Sequence, residues 1–273
     1  MSDILNKILA TKYQEVAAAR ARVPLSELRA RVADAPPVRD FVGAIRAKHA
    51  AGHPAVIAEI KRASPSAGVF RPPAAGETPF SPARFAETYA RNGAACLSVL
   101  TDRDYFQGSP EDLIEARAAC FIPVLRKDFL VDEYQILEAR AMGADAVLFI
   151  MGAVPIATFR EWEALAVELG LAVLAESHSK AELEQAITLK TPLIGINNRD
   201  LTRFVTDLGT TIALMPTVPA GRIIITESGI ASAKSVETME AAGIHTYLIG
   251  GALMEEADPG AALARLFAQN PLR

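Results

Sequence analysis

Cysteine, histidine and tryptophan are scarce in this chain, which holds only two, four and one of them among its 273 residues. Cys96 and Cys120 sit in or beside apolar segments without metal-type spacing, so they read as small buried hydrophobes and call for no oxidising compartment. His49, His53, His178 and His245 are scattered, and no bound metal is implied. Long apolar runs are also missing: none reaches the roughly 18 residues of a membrane span, and Asp3, Lys7, Lys12 and Glu15 interrupt any signal-peptide core. The expectation is a cytoplasmic protein without a membrane segment. An excess of one charge sign is absent too, since the formal net charge is −4 and the basic residues are dispersed, which leaves no electrostatic footprint for nucleic acid. Finally, the first strand pattern is followed by Arg62-Ala-Ser-Pro-Ser-Ala-Gly68 and by no G-x-G-x-x-G fingerprint, which weighs against an open Rossmann-type sheet.

What is present is a composition of 51% hydrophobic and 22% charged residues, enough to bury a sizeable core. Residues 2–50 are helical by pattern. Ile4, Leu5, Ile8, Leu9 and Val16 recur on one face, and Ser2 or Asp3 can cap the start. A second helix is expected from Pro24 and a third after Pro36-Pro37, the three forming a cover on a larger body.

From Ala55 the chain repeats a unit of short apolar strand, polar loop and amphipathic helix. Strands are expected at Ala55–Lys61, Cys96–Leu100, Ile122–Lys127, Ala146–Ile150, Ala172–Glu176, Leu193–Asn198, Ile223–Ser228 and Thr246–Gly250. Helical patterns lie near 82–92, 110–119, 132–142, 155–169, 179–189, 206–214, 231–242 and 258–269. Such alternation gives parallel strands covered by helices, and eight units in roughly 220 residues fit a closed barrel better than an open sheet. The predicted fold is α/β: a single (β/α)8 TIM-barrel domain over 55–273 with a helical N-terminal extension over 1–50. The loop from Arg62 to about Ser81 is long for a strand-to-helix connection and is expected to grip or cover a substrate.

Parity gives the first functional signal. Ala55, Ile57, Glu59 and Lys61 share one strand face, as do Leu125 and Lys127, Leu174 and Glu176, Leu193, Gly195 and Asn197 with Arg199 beyond, and Ile225 and Glu227. Each apolar run thus ends in a polar group on the face that points into a barrel, at the end where barrel enzymes keep their sites. Three carboxylates (Glu59, Glu176, Glu227) and two amines (Lys61, Lys127) close together permit a cationic acid and an anionic base in one site. His178, just past Glu176, is the one histidine near this rim. Glycines in Glu227-Ser228-Gly229-Ile230 and Ile249-Gly250-Gly251-Ala252 fall after strands seven and eight, where this fold cradles phosphate with backbone N–H groups. Ser64 and Ser66 offer hydroxyls from the first loop. Phe106, Phe129 and Leu201 are candidates for an apolar slot for a ring, while Trp162 has the spacing of helix packing.

Taken in order, Glu59-Ile-Lys61-Arg-Ala-Ser64-Pro-Ser66, Leu100-Thr-Asp102 through Tyr105-Phe-Gln-Gly108-Ser109, Leu125-Arg-Lys127-Asp-Phe129, Ala175-Glu176, Gly195-Ile-Asn197-Asn-Arg199-Asp-Leu201, Glu227-Ser-Gly229-Ile and Leu248-Ile-Gly250 resemble the indole-3-glycerol phosphate synthases of tryptophan biosynthesis. The resemblance covers nearly the whole chain. It implies a lyase that closes the ring of 1-(2-carboxyphenylamino)-1-deoxyribulose 5-phosphate with loss of carbon dioxide and water, and that requires no cofactor. By that resemblance Lys127 is the general acid at the ketone, Glu176 a base or acid in the dehydration, and Lys61 a carboxylate holder or second acid. Glu59 and Asn197 orient these groups, and Glu227 completes the electrostatic ring. Arg199, Ser64, Ser228, Gly229, Gly250 and Gly251 are the implied substrate or phosphate contacts.

Two departures stand out: many relatives carry lysine where this chain has Ala67, and often serine or a larger residue near Gly251. A fused second barrel is not expected, since the sequence ends at residue 273. The expected partner is one phosphorylated small molecule, acted on by a monomer. The competing enzymes are other phosphosugar barrels, such as a Schiff-base aldolase using Lys127 or a phosphoribosylanthranilate isomerase, and the non-enzyme alternative is a metabolite-sensing barrel.

Overall fold

The computed structural model describes residues 3–70, 80–200 and 205–271. Eight parallel strands, β1 (Ala55–Ile60), β2 (Cys96–Leu100), β3 (Val124–Lys127), β4 (Ala146–Ile150), β5 (Ala172–Ser177), β6 (Leu193–Asn197), β7 (Ile223–Glu227) and β8 (Thr246–Ile249), pair in chain order and close, with β1 bonded to both β2 and β8. The strand residues divide by parity into two dry layers. Ile57, Leu125, Leu148, Leu174, Leu193 and Ile225 fill the lumen, and Val56, Val99, Val147, Phe149 and Ile194 pack outward against helices. With both faces buried, the strands read in sequence as unbroken apolar runs.

The three N-terminal helices are α1 (Asp3–Arg22), α2 (Leu25–Ala33) and α3 (Phe41–Ala50). Around the barrel run α4 (Pro82–Arg91), α5 (Pro110–Ala118), α6 (Tyr134–Ala141), α7 (Ile156–Glu168), α8 (Lys180–Ala186), α9 (Gly209–Leu214), α10 (Ala233–Ala241), the short α11 (Gly251–Met254) and α12 (Pro259–Leu266). Three of these begin with the same punctuation, a capping side chain followed by proline at the first helical position. Ser81, Ser109 and Asp258 accept from the backbone N–H of Arg84, Asp112 and Ala261. The cap satisfies an otherwise orphaned donor, and proline forfeits only an N–H that has no helical partner anyway.

The extension does two things. Leu5, Leu9, Val16 and Leu28 of α1 and α2 pack with Tyr134 and Leu137 of α6. Phe41 and Ile45 of α3 instead join the lumen beside Ala55, Ala95 and Cys96, so α3 plugs the end where the strands begin. The expected cover is therefore a flank and a plug.

Some boundaries differ from expectation. β3 starts at Val124 because Pro123 has no N–H to donate, although its carbonyl still accepts from Leu97 at 2.8 Å. α3 starts at Phe41, capped by Asp40, because the chain before it runs extended and the Arg39 backbone N–H reaches Asp145 at 2.8 Å. Ala63–Ser64 and Gly68–Val69 form a two-stranded antiparallel ribbon at the root of the loop after β1. That ribbon and α11 had no counterpart in the sequence reading. Trp162 packs edge-on against Phe159 at 5.7 Å and Phe149 at 6.2 Å, as helix packing requires.

Candidate active site

A cavity of about 500 Å³ opens at the carboxyl ends of the strands, walled by Glu59, Lys61, Lys127, Glu176, Asn197 and Glu227. Register brings the last three together. Glu176 on β5 lies beside Gly195 on β6, and Asn197 on β6 lies beside Glu227 on β7. Lys127 extends from β3 across the lumen, placing Nζ 2.5 Å from Glu176 Oε2 and 3.1 Å from Glu227 Oε2. Asn197 Nδ2 donates to Glu176 Oε1 at 3.0 Å. At the end of β1, Lys61 Nζ pairs with Glu59 Oε1 at 2.7 Å and lies over the Phe70 ring, 5.1 Å from its centre.

Two glycines make room for these carboxylates. A methyl group on Gly195 would overlap Glu227 Oε1, and one on Gly250 would overlap Glu59 Oε1. Gly250 therefore makes room for a carboxylate of the site. The absence of a side chain here is a packing requirement of the site, independent of backbone conformation.

Burial and charge split the two carboxyls that flank Lys127. Burial raises Glu227, the Glu176 charge raises it further, and Lys127 only partly opposes this, leaving Glu227 at about 8. Glu176 suffers the same burial but is held well below the usual carboxylate range by Lys127 and His178. Burial also works against the Lys127 ammonium, yet Glu176, Glu227 and Glu59 outweigh it and hold the amine well above its ordinary value. Near neutral pH the triad is one ammonium, one carboxylate and one carboxylic acid, the separation that lets one site hold an acid and a base.

The remaining expected residues that the structure describes line the same cavity. Ser64, Arg199, Ser228, Gly229, Gly250 and Gly251 border it. Arg199 Nη1 donates to Ser66 Oγ at 3.0 Å, bridging the loops after β6 and β1. Ser228 and Gly229 are both left-handed, with φ of 66° and 84°, which turns the backbone after β7 sharply toward the opening. Phe106 and Phe129 also border it, with ring centres 5.8 Å apart. Leu201 lies outside the described residues.

Several lining residues escaped the sequence reading. Ile4, Leu5 and Ile8 reach the cavity from α1, and Phe70 and Thr206 border it from loops. The signal for the first three was present, since they lie on the apolar face of α1, but an apolar face does not say what it covers. Glu255 and Glu256, just past α11, also border the opening.

Residues 5–266 match the model of the family described as indole-3-glycerol phosphate synthase. Over 267 residues the chain is 57% identical to a protein of that name from Chromobacterium violaceum, covering 98% of each chain. It is 58% identical over 267 residues to a protein of the same name from Burkholderia vietnamiensis, covering 98% of this chain and all of that one. Among solved structures, 3-hexulose-6-phosphate synthase superposes with a TM-score of 0.59 at 15% identity, over 78% of this chain and 98% of its own. A native KDPGal structure gives 0.54 at 14% identity, over 79% and 95%. At such identities the last two establish the barrel alone.

Proposed function

The chain belongs to the indole-3-glycerol phosphate synthase family, and from that premise we propose how its cavity divides the work of closing an indole ring. The activity is that of a carboxy-lyase: 1-(2-carboxyphenylamino)-1-deoxyribulose 5-phosphate gives indole-3-glycerol phosphate, carbon dioxide and water. The ring carbon bearing the carboxylate bonds to the ketone carbon of the side chain. Loss of carbon dioxide restores the aromatic ring, and loss of the new hydroxyl with a neighbouring C–H proton completes the indole.

Each step asks for a group that the cavity holds. The ketone oxygen gains negative charge as the bond forms, and the Lys127 ammonium stabilises and protonates it. Glu176, ionised beside it, takes the proton released in dehydration. Glu227, protonated near neutral pH, assists departure of the hydroxyl and keeps a second negative charge away from Lys127. Asn197 fixes Glu176 through its amide donor. Lys61, tethered by Glu59, neutralises the substrate carboxylate until carbon dioxide departs. Phosphate is held by Ser64, Arg199 and the backbone around Ser228, Gly229, Gly250 and Gly251, while Phe106, Phe129 and the α1 side chains Ile4, Leu5 and Ile8 enclose the aromatic ring.

The observation that carries this reading is Lys127 held within ion-pair distance of two carboxyls of opposite tendency at the strand ends. It also disfavours the Schiff-base alternative, because a nucleophilic amine must be neutral and these carboxyls favour the ammonium. The test is to mix protein and substrate in chelator-containing buffer and follow indole fluorescence. A rise is expected, with no covalent trapping of Lys127 by borohydride. Silence from folded protein, or trapping, overturns the assignment.

The proposal extends to a monomer acting in the cytoplasm, with the extension and barrel serving as one domain. Ile4, Leu5 and Ile8 of α1 line the cavity of the barrel, which supports treating extension and barrel as one domain. Sedimentation at assay concentration tests the monomer.

A further inference from the structure

His178 follows the catalytic strand β5 and is absorbed by none of the roles above. Its ring lies between two carboxylates. Nε2 is 3.1 Å from Glu176 Oε1, and Nδ1 is 3.3 Å from Glu182 Oε2 on α8. The same Glu182 oxygen accepts the His178 backbone N–H at 2.7 Å, so the ring is fixed to its own main chain through one carboxylate. Its side chain is only 11% exposed.

A neutral imidazole has one N–H and one lone pair, and would turn the lone pair on a carboxylate at one of these positions. Only the imidazolium presents a donor to both. Nε2 meets Oε1 as a charge contact without the alignment of a good hydrogen bond, and finds no other acceptor among the described residues. Glu176 Oε1 is thereby held from one side by Asn197 and from the other by His178, leaving Oε2 to Lys127.

We propose that His178 is a positioning residue for ring closure: as an imidazolium braced by Glu182, it holds Glu176 ionised and correctly aimed during proton transfer. This rests on Glu176 acting as the base. The groups facing the imidazole are Glu176 from its own strand and Glu182 from α8, with Lys127 beyond Glu176. Burial alone would lower the histidine, but its two carboxylate partners prevail and raise it to about 10, in keeping with the geometry. A purely structural histidine would have no reason to tune the carboxylate. Removing this one weakens the field that keeps Glu176 deprotonated and releases one of the two contacts on its Oε1.

The experiment compares His178→Gln, Glu182→Gln and Glu176→Gln with the parent by measuring kcat and KM from about pH 3 to 9, a range that extends below the usual carboxylate values, where Glu176 is held. His178→Gln is expected to lower kcat about 10-fold, to leave KM within about twofold, and to move the acid limb of kcat upward by about one pH unit. Glu182→Gln, which leaves the imidazole in place, should move the same limb in the same direction by less. It should also lower the His178 titration midpoint read by imidazole nitrogen NMR, a measurement that needs no turnover. An unmoved acid limb in His178→Gln, or a His178 that titrates near its ordinary 6.5, overturns the inference. Glu176→Gln separates the two levels. If it is inactive while His178→Gln behaves as the parent, only the positioning role falls. If it turns over normally, the base assignment falls and takes this inference with it.

Discussion

Lys127, Glu176 and Glu227 illustrate how one site can hold three protonation states that no residue chooses alone. Lys127→Met removes the proposed acid and the cation shared by Glu176 and Glu227, so kcat should fall on the order of 10²-fold or more with modest change in KM. Indole fluorescence under saturating substrate reads this directly. Near-normal turnover would remove Lys127 from the acid role. Glu227 allows a stability test. Its folded value of about 8 exceeds the ordinary 4.5, so the native state holds a proton that the unfolded chain gives up, and stability falls as pH rises through that window. Glu227→Gln cannot ionise and should flatten that slope. Denaturant midpoints of parent and variant between pH 5 and 8 check it, and parallel slopes would mean Glu227 is ionised throughout. Gly195→Ala probes the same carboxyl sterically: the methyl must displace Glu227 Oε1, and the predicted result is a folded protein with sharply reduced kcat.

Among elements, α1 decides more than its sequence suggests. Its Lys12 is 3% exposed and lies 2.8 Å from Asp102 Oδ2 and 3.1 Å from Asp128 Oδ1, in the loops after β2 and β3. Asp128 adjoins Lys127, so the clamp that seats α1 also braces the strand end carrying Lys127. Burial would raise the Asp128 carboxyl, but Arg126, Lys12 and the Thr101 hydroxyl outweigh it and hold it below the ordinary 3.8. Its stabilising contribution is present above that value and is lost as pH falls through the lower folded one. Lys12→Met leaves two buried carboxylates short of a cation and is expected to cost about 3–5 kcal/mol, with acid unfolding starting at higher pH. Urea titration at two pH values measures both. A cost below about 1 kcal/mol would class the pairs with exposed ones.

Taken whole, the molecule separates stability from chemistry along the barrel axis. Asp145, just before β4, is fully buried and accepts the backbone N–H groups of Arg39 and Val124 at 2.8 Å and the Arg117 guanidinium at 3.1 Å. It ties the segment entering α3, the start of β3 and α5 together at the end opposite the cavity. Asp145→Ala orphans the two backbone N–H groups, removes the carboxylate partner of Arg117 and should cost about 3–5 kcal/mol while leaving kcat of the folded fraction unchanged. Denaturation and low-temperature assays on one preparation check both parts, and a lower kcat per folded molecule would contradict the separation.

The sequence by itself determined the barrel and the parity of its inward charges. Eight short apolar runs alternating with helical patterns leave few ways to bury both strand faces, and a period of two assigns Glu59, Lys61, Lys127, Glu176, Asn197 and Glu227 to one side. It could not determine which carboxyl pairs with which amine, because Lys127 meets Glu227 across 100 positions of chain and distances of that kind arise only when the barrel closes. Nor could it reveal that Gly195 and Gly250 are empty for the sake of Glu227 and Glu59, that an apolar face of α1 borders the cavity, or that His178 stands between two carboxylates. Those facts belong to the tertiary structure. Local pattern fixes which way a side chain points, whereas protonation and contact depend on what closure brings opposite to it.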